Sequence, residues 1–398
     1  MHTLWTLTTV LPFEAAAAGR DALQSRASSG TYTLAKEYSG SSFFDGWDWF
    51  GAPDLLQNGD VNWVTEAQAT AEQLAYYVNA AGNAIIKVDN TTYVQANQKR
   101  DTVRITSQDD FPIGSVFVLD ATHLPYGCSV WPSFWTTEAG VTWPSGGEID
   151  IIETVNRMAA NQYALHTGGT DRCFGVNDTS VQTGTLTNAN CTSSAASDNG
   201  CSVLDTSGDS AGEAFAAAGG GVYAAQFDPS GIFIWFWSRA NIPSSVSSAT
   251  NSIDTSDWGT PSAAFPSSSC DISEKFGPQS LVLDITLCGN WAGEPSVYNE
   301  TCPTSGTLDA NSCYQNSVVF NGTSDYTFAY FEIQYIKAFT SDGQFNVSVS
   351  ASSSAAAATG TGGAPASQGA ASSAVATRRA EVGVLVGAAF VLVGWTAV

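Results

Sequence analysis

The sequence predicts an all-β fold, an antiparallel β-sandwich, because strand patterns recur along it, Gly-, Ser- and Asn-rich turns separate them and long helical periods are absent. Phe331, Ile333 and Tyr335 alternate with polar residues, which is the period-2 pattern of a strand with one buried face. Residues 223–227 and 232–237 are apolar runs on either side of a D-P-S-G turn, and this spacing indicates a hairpin. The chain has 398 residues, enough for one large β domain with appendages.

Residues 66–80 are the exception to this strand-rich pattern. They contain few turn-forming residues, but their apolar spacing is irregular, so helix and strand are equally good interpretations.

Composition excludes several classes of protein. Asp and Glu number 37 against 14 Lys and Arg, which gives a net charge of −23 and repels nucleic acids and anionic membranes. Hydrophobic residues make up 43% of the chain and include twelve Trp, so the bulk of the chain folds. We therefore expect a globular protein that does not bind nucleic acid.

The cysteines and glycosylation motifs indicate an extracellular protein. None of the eight cysteines forms a C-x-x-C pair of the kind that holds zinc, so we expect disulfides. N-x-[S/T] motifs accept glycans in the secretory pathway. Six such motifs occur, at Asn90, Asn177, Asn190, Asn299, Asn321 and Asn346.

The two ends of the chain have the composition expected of targeting signals. Residues 1–18, an apolar run followed by alanines, are expected to be a signal peptide, the alternative being a start with no targeting role. Residues 346–377 are uncharged and rich in Ser, Ala, Gly and Thr, which predicts a linker. The apolar tail at 382–398 follows small residues and a polar spacer, the pattern of a glycolipid-anchor signal. The alternative is a tail-anchored helix; in both cases we expect the protein at the cell surface or cell wall, touching the membrane only through this anchor.

Three carboxylates, Glu148, Asp150 and Glu153, lie close together in a strand-like sequence rich in isoleucine. Side chains two residues apart share a face of a strand, so Glu148 and Asp150 point the same way. Glu153 would face the core of a regular strand, where an ionised carboxylate is costly. A β-bulge at Ile151–Ile152 would return it to the face of the other two.

Three crowded acids cannot all ionise without cost, so one should hold a proton while another stays charged. A glycosidase needs this division between a nucleophile and a proton donor. The alternatives are a calcium site, because carboxylate oxygens also suit that ion, and an exposed acidic strand without a role.

Aromatic residues precede the acids in the sequence. Trp131, Trp135 and Trp143 could offer indole faces to the apolar faces of sugar rings, although any one of them could be a core residue instead. His166 is near enough in sequence to lie on a neighbouring antiparallel strand, and from spacing alone a structural role fits it better.

Together these motifs resemble glycoside hydrolase family 16, in its fungal laminarinase-like endo-1,3(4)-β-glucanase branch. The resemblance covers about residues 31–340, where we expect the catalytic domain. The residues that carry it are 42–47, 104–107, 120–128, 131–135, 143–156, 235–239, 242–243, 284–286 and 288–293.

The resemblance implies a β-jelly-roll sandwich of two curved antiparallel sheets, of the concanavalin A-like lectin/glucanase type. It implies retaining hydrolysis of internal β-1,3 or mixed β-1,3/1,4 glucosidic bonds, with Glu148 similar to the nucleophile, Glu153 to the acid/base and Asp150 to the carboxylate that tunes Glu148. Substrate-binding residues would be Trp135, Trp143, His166 and Trp291, of which Trp135 rests only on its place beside the acids. We expect a monomer that needs no cofactor and no metal.

One segment departs from the family pattern, and two alternative functions stay open. Residues 173–225 form a long Ser-, Ala- and Gly-rich segment where a short loop is expected, and they leave the edge of the cleft undefined. Some anchored fungal members of the family transfer glycan chains instead of hydrolysing them, but these typically carry the shorter, unbulged motif. A glycan-binding sandwich without catalysis would have no need for three aligned acids.

Overall fold

The computed structural model describes residues 27–78, 80–169, 173–194, 199–302 and 307–347. The expected signal peptide and apolar tail lie outside these residues. So does the expected linker apart from its first two residues, Asn346 and Val347, which pair with Asp110 and Asp109.

Two large antiparallel sheets face each other. With strands numbered along the chain, the front sheet contains, in spatial order, β13 (Thr185–Asn188), β14 (Cys201–Leu204), β12 (Gln162–His166), β11 (Glu148–Glu153), β10 (Val130–Thr137), β19 (Gln279–Leu287), β8 (Arg104–Phe111) and β2 (Trp47–Trp49), with β22 (Asn346–Val347) also paired to β8. The back sheet contains β17 (Ser252–Asp254), β1 (Thr31–Ser39), β21 (Tyr330–Thr340), β9 (Ser115–His123), β15 (Gly221–Asp228), β16 (Gly231–Ser238) and β18 (Ala263–Pro266), with β5 (Asn83–Lys87) on β21 and β4 (Ala75–Val78) on β5. This architecture confirms the predicted all-β jelly-roll sandwich.

Smaller elements connect the sheets. Two short strand pairs form between β3 (Val61–Trp63) and β7 (Arg100–Thr102), and between β6 (Tyr93–Val94) and β20 (Phe320–Asn321). The α-helices within the described residues are α1 (Glu66–Ala71), α2 (Gly212–Ala217), α3 (Ser244–Ser247), α4 (Ile272–Lys275), α5 (Gly289–Ala292) and α6 (Pro295–Thr301). Two short 3-10 helices (Gly40–Ser42 and Arg239–Asn241) and a π-helix (Tyr314–Val318) accompany them. No helix within the described residues has the length and apolar character required to cross a membrane.

The core lies between the two sheets and comes from alternate residues of their strands. Phe134, Ile152 and Leu283 of the front sheet and Phe117 and Tyr223 of the back sheet are fully buried in one cluster. Because these residues alternate with others that face away from the core, one surface of the front sheet is left for polar side chains.

The registers of the paired strands test two of the sequence predictions. The hairpin is confirmed: β15 and β16 pair up to Asp228 opposite Gly231 and leave a two-residue turn. In β21 the pairing shifts between Ile333 and Tyr335, so Ile336 enters the core in place of Tyr335. The predicted alternation therefore holds only as far as Ile333.

The ambiguous stretch at 66–80 contains one helix and one strand. Thr65 caps α1, since its hydroxyl accepts a hydrogen bond from the Gln68 amide, and β4 follows after a turn. The apolar spacing of this stretch is irregular because a short helix and a short strand share it.

All eight cysteines form disulfides, as predicted, and two of the bonds hold the added segment 173–225. The pairs are Cys128–Cys302, Cys173–Cys270, Cys191–Cys201 and Cys288–Cys313. The added segment is not a simple loop, because it supplies β13 and β14 and so extends one edge of the front sheet.

Candidate active site

The acidic strand β11 contains the predicted bulge. Glu153 lies opposite Ser133 and Asp150 lies opposite Trp135, so β11 has one more residue than β10 between these pairs. Ile151 is the extra residue, and it is fully buried. The bulge brings Glu153 back to the face that carries Asp150, as the sequence predicts.

Glu148 lies at one end of this row of acids and has two polar neighbours. The indole Nε1 of Trp143 donates a hydrogen bond of 2.8 Å to Glu148 Oε2. His166, opposite Glu148 in β12, places its Nε2 3.7 Å from Glu148 Oε1 and 3.2 Å from Asp150 Oδ2. The Glu148 side chain keeps 13% of its surface exposed, so a substrate can reach it.

Glu153 lies at the other end and has a different donor. Trp131 Nε1 donates a hydrogen bond of 2.8 Å to Glu153 Oε1. Trp291, on α5, is half-buried and packs edge-to-face on Trp131, with ring centroids 5.6 Å apart. The Glu153 amide donates to Asn161 Oδ1, which fixes the backbone just after the bulge.

Burial controls the protonation of the cluster. It raises the pKa of Glu148 to about 8 and that of Glu153 to about 8, and in each case the charge of Asp150 adds to the rise. Burial also raises the pKa of Asp150 well above its usual range, with a further contribution from Asp284. The three acids therefore keep protons among them at neutral pH, and their titrations are coupled.

Trp135 is in the floor of the site. It is 6% exposed, its Nε1 donates a 3.3 Å hydrogen bond to Asp284 Oδ1, and the Arg104 guanidinium lies 5.0 Å from its ring centroid. Of the four predicted substrate-binding residues, Trp143 and Trp291 are half-buried, whereas Trp135 and His166 are more enclosed.

Sequence reasoning gave no site role to Asp284 or Arg104, and it considered Trp131 as a stacking ring, not as the donor to Glu153. Ser133 pairs with both Glu153 and Asp284, so all three lie in one row across the front sheet. Burial raises the pKa of Asp284 to about 7, although Arg104 opposes the rise. The sequence did contain a signal for Asp284, because a single acidic residue inside the mostly apolar run at 281–287 is costly to bury unless it has a role.

Ser193 was also missed. It comes from the added segment, is 5% exposed and places its Oγ 3.0 Å from His166 Nδ1. The serine-rich sequence around it gives no signal, because only the fold brings it to the histidine.

One subset of the site could in principle hold a metal ion. Single ligand atoms of Glu148, Asp150 and His166 lie within 4.8 Å of one another. The set fits calcium poorly, because calcium takes six to eight oxygen ligands and an indole N–H already occupies Glu148 Oε2. The hydrogen bond from Trp143 stabilises the charged form of Glu148 without a metal ion. The geometry therefore suits acid–base chemistry better than calcium binding.

Comparison with known proteins gives the family. Residues 47–339 match the model of the XgeA-like, catalytic GH16 domain. A probable endo-1,3(4)-beta-glucanase of Aspergillus fumigatus is 40% identical over 323 residues, which cover 80% of this chain and 47% of that protein. The chain thus spans about half the length of this relative.

Two solved structures are similar over the whole of their own chains and over 78% of this one. Laminarinase 16A of Phanerochaete chrysosporium, solved with two β-glucans in its donor and acceptor sites, is 34% identical with a TM-score of 0.70. An elongating GH family 16 β-1,3-glucosyltransferase is 37% identical, also with a TM-score of 0.70. The family match, the bulged row of acids and the jelly-roll fold agree, and the chain belongs to glycoside hydrolase family 16, in its XgeA-like group of catalytic domains.

Proposed function

We propose that this protein is a retaining endo-β-glucanase that hydrolyses internal β-1,3 or mixed β-1,3/1,4 glucosidic bonds. The observation that carries the proposal is the pair of buried glutamates, Glu148 and Glu153, on one face of a bulged strand, each with its own indole donor. The A. fumigatus relative carries this activity in its name, and the P. chrysosporium structure holds β-glucan.

The two glutamates divide the reaction between them. Glu148, as carboxylate, attacks the anomeric carbon while Glu153 gives its proton to the departing glucosidic oxygen, and the C–O bond breaks. Glu153, now a carboxylate, takes a proton from water, whose oxygen attacks the anomeric carbon and releases Glu148. Two displacements at one carbon retain its configuration.

The surroundings of each glutamate favour this assignment over its reverse. His166 and Trp143 both lie against Glu148 and favour its charged form, as a nucleophile requires. Glu153 forms no ion pair with a histidine among the described residues, and Asp284 adds to the rise of its pKa, which suits a group that must begin protonated.

Trp143 and Trp291 are the proposed stacking platforms. Trp143 lies beside Glu148, whereas Trp291 packs on Trp131 beside Glu153, so the two rings flank the acids at opposite ends. Indole faces match the apolar faces of glucose, and platforms on both sides suit a polymer cut internally. Trp135 supports the floor, and His166 bounds the end near Glu148.

Chain transfer is the second candidate, because a 37% identical neighbour is a β-1,3-glucosyltransferase. Both reactions share the glycosyl-enzyme on Glu148 and differ in whether water or a sugar hydroxyl attacks it. The test is a product profile of the purified protein on laminarin, barley β-glucan and cellulose. We expect short oligosaccharides from the first two, none from cellulose, and the β-anomer first in proton NMR of fresh product. Elongation of a labelled laminari-oligosaccharide with little gain in reducing ends would contradict hydrolysis as the main reaction.

We also propose that the protein is secreted, glycosylated and displayed at the cell surface. Four disulfides support an oxidising compartment, and the motif asparagines Asn177, Asn190, Asn299 and Asn346 are exposed where a glycan can be attached. Treatment of cells with a phospholipase that cuts glycolipid anchors should release the enzyme, and peptide N-glycosidase should then lower its apparent mass. Retention on the cells with no change in mass would contradict both parts.

A further inference from the structure

The disulfide Cys191–Cys201 closes a short loop of the added segment over His166. We name its described residues, 191–194 and 199–201, the clamp loop. Thr167, which follows His166, donates from its amide to the Cys191 carbonyl at 2.8 Å and accepts from the Ser193 amide at 3.0 Å. These two bonds fix the start of the loop beside the histidine.

The start of the clamp loop supplies a polar contact to the imidazole. Ser193 Oγ lies 3.0 Å from His166 Nδ1 and 3.5 Å from the Cys191 carbonyl oxygen. The serine is 5% exposed, so bulk water does not compete freely for this hydroxyl. Within the described residues, Ser193 is the hydrogen-bond partner of Nδ1.

At the end of the clamp loop, the backbone of Gly200 lies directly against the His166 imidazole. Gly200 has φ +56°, and a Cβ there would lie 2.8 Å from both Nδ1 and Cε1 of His166 and 2.5 Å from the Leu165 carbonyl oxygen. Only glycine fits so close to the ring. The loop therefore contacts the imidazole from both of its ends.

The opposite edge of the imidazole faces the reaction. Its Nε2 is 3.2 Å from Asp150 Oδ2 and 3.7 Å from Glu148 Oε1. If Ser193 donates to Nδ1, the ring is neutral with its proton on Nε2. If Ser193 donates to the Cys191 carbonyl instead, it accepts from Nδ1–H, and Nε2 then carries a proton only in the cationic form of the ring.

We propose that Ser193 is a positioning residue for the glucanase reaction, which holds His166 with its Nε2–H toward Asp150 and Glu148. The proposal rests on the role of Glu148 proposed above. A ring held in this orientation keeps its Nε2 edge against Glu148, the group that attacks the anomeric carbon. Among the described residues, Glu148 and Asp150 lie at ion-pair distance from the ring, and the charge of Glu153 also acts on it from β11. The clamp loop brings the Ser193 hydroxyl and the Gly200 backbone, neither of which is ionisable.

The test compares Ser193→Ala with Ser193→Thr in the full chain. Thr187→Val is the matched control, since Thr187 makes its hydroxyl contacts with Ser202 in the same added segment, away from His166. We expect Ser193→Ala to lower kcat on laminarin about tenfold, the loss typical of one hydrogen bond to a charged group, with KM changed less than about twofold. Ser193→Thr should recover most of kcat, and Thr187→Val should match wild type.

A second readout does not depend on hydrolysis. The sequence has three histidines, so ¹⁵N-histidine labelling gives few imidazole signals to follow against pH. Ser193→Ala should change the tautomer-sensitive ¹⁵N shifts of His166, and Thr187→Val should not. Unchanged His166 signals with unchanged kcat would overturn the proposal, as would equal losses of kcat and Tm in Ser193→Ala and the control. A wild-type protein that does not cut β-glucan would refute the proposed function, whereas the His166 signals would still report on Ser193.

Discussion

At the scale of single residues, the difference between Glu148 and Glu153 lies in their neighbours. Glu148 touches an indole donor and an imidazole, whereas Glu153 touches an indole donor and lies in a row with Ser133 and Asp284. Both pKa values are raised to about 8, so burial by itself does not separate their roles. The histidine beside Glu148 is the asymmetry that does.

This asymmetry leads to a test of the two roles. We expect Glu148→Gln and Glu153→Gln each to lower kcat on β-1,3-glucan by about a thousandfold or more, because each removes a group needed in both steps. Azide should restore turnover of Glu148→Gly by attacking the anomeric carbon in place of the missing carboxylate, which yields an α-glycosyl azide of inverted configuration.

The control is Glu72→Gln, an exposed glutamate at the end of α1, which should keep wild-type rates. If azide gives the inverted product with a Glu153→Gly variant and not with Glu148→Gly, the two roles are exchanged.

The sequence was enough to predict the arrangement of residues that lie close together along the chain. The three acids occur within one strand, and the cost of a carboxylate facing the core was enough to infer the bulge. Ser193 and Arg104 reach the site only through long-range pairing, and no local pattern distinguishes that serine from its many neighbours.

At the scale of elements, the bulge in β11 explains how two glutamates five positions apart still lie on one face of the strand. Ile151 is the unmatched residue opposite β10, while Ile149 is the ordinary core-facing residue between Glu148 and Asp150. Both isoleucines are fully buried. Removal of Ile151 would keep Glu148, Asp150 and Glu153 on one face of the strand. Removal of Ile149 would turn Glu148 to the opposite face, because side chains alternate along a strand.

A pair of single-residue deletions tests this account. Deletion of Ile151 should make β11 regular and keep Glu153 on the cleft face, so activity should stay well above that of Glu153→Gln. The variant should still lose about 2–5 kcal/mol of stability through its missing buried side chain. Deletion of Ile149 should turn Glu148 toward the core and reduce activity to that of Glu148→Gln or lower.

Initial rates on laminarin and circular dichroism of both deletion variants provide the measurement. A folded Ile151 deletion with no activity would mean that the bulge sets a distance the reaction requires, beyond setting the face.

At the scale of the whole molecule, the sandwich was predictable and its edges were not. Strand alternation and turn residues were repeated often enough to give the fold class, as in the hairpin of β15 and β16. The edge strands β13 and β14 are four residues each in a segment of small polar residues, so their propensity is weak and pairing with β12 decides their structure.

The same buried acids that serve the reaction should lower the stability of the folded protein as the pH rises. The pKa of Glu148 and Glu153 rises from 4.5 to about 8 on folding, and that of Asp284 from 3.8 to about 7. Below the unfolded values both states are protonated, and no stability is lost. Between the unfolded and the folded values, the unfolded chain has released protons that the folded chain keeps, so stability falls until the pH has passed the folded values. The net charge of −23 adds repulsion in the same direction.

We therefore expect the wild-type Tm to be highest near pH 5 and to fall steadily toward pH 8. Glu148→Gln and Glu153→Gln each remove one buried acid, so their Tm should decline less steeply and exceed that of wild type at pH 8 by at least about 2 °C, which for a domain of this size corresponds to roughly 1 kcal/mol. Near pH 4.5, where the wild-type glutamates are protonated, the gain should disappear.

Differential scanning calorimetry across this range, with the disulfides intact, measures the slopes, and Glu72→Gln serves as the exposed control. Parallel slopes for wild type and both cleft variants would mean that the acids ionise in the folded protein as easily as in the unfolded chain, which would remove the electrostatic basis for a protonated Glu153 at neutral pH.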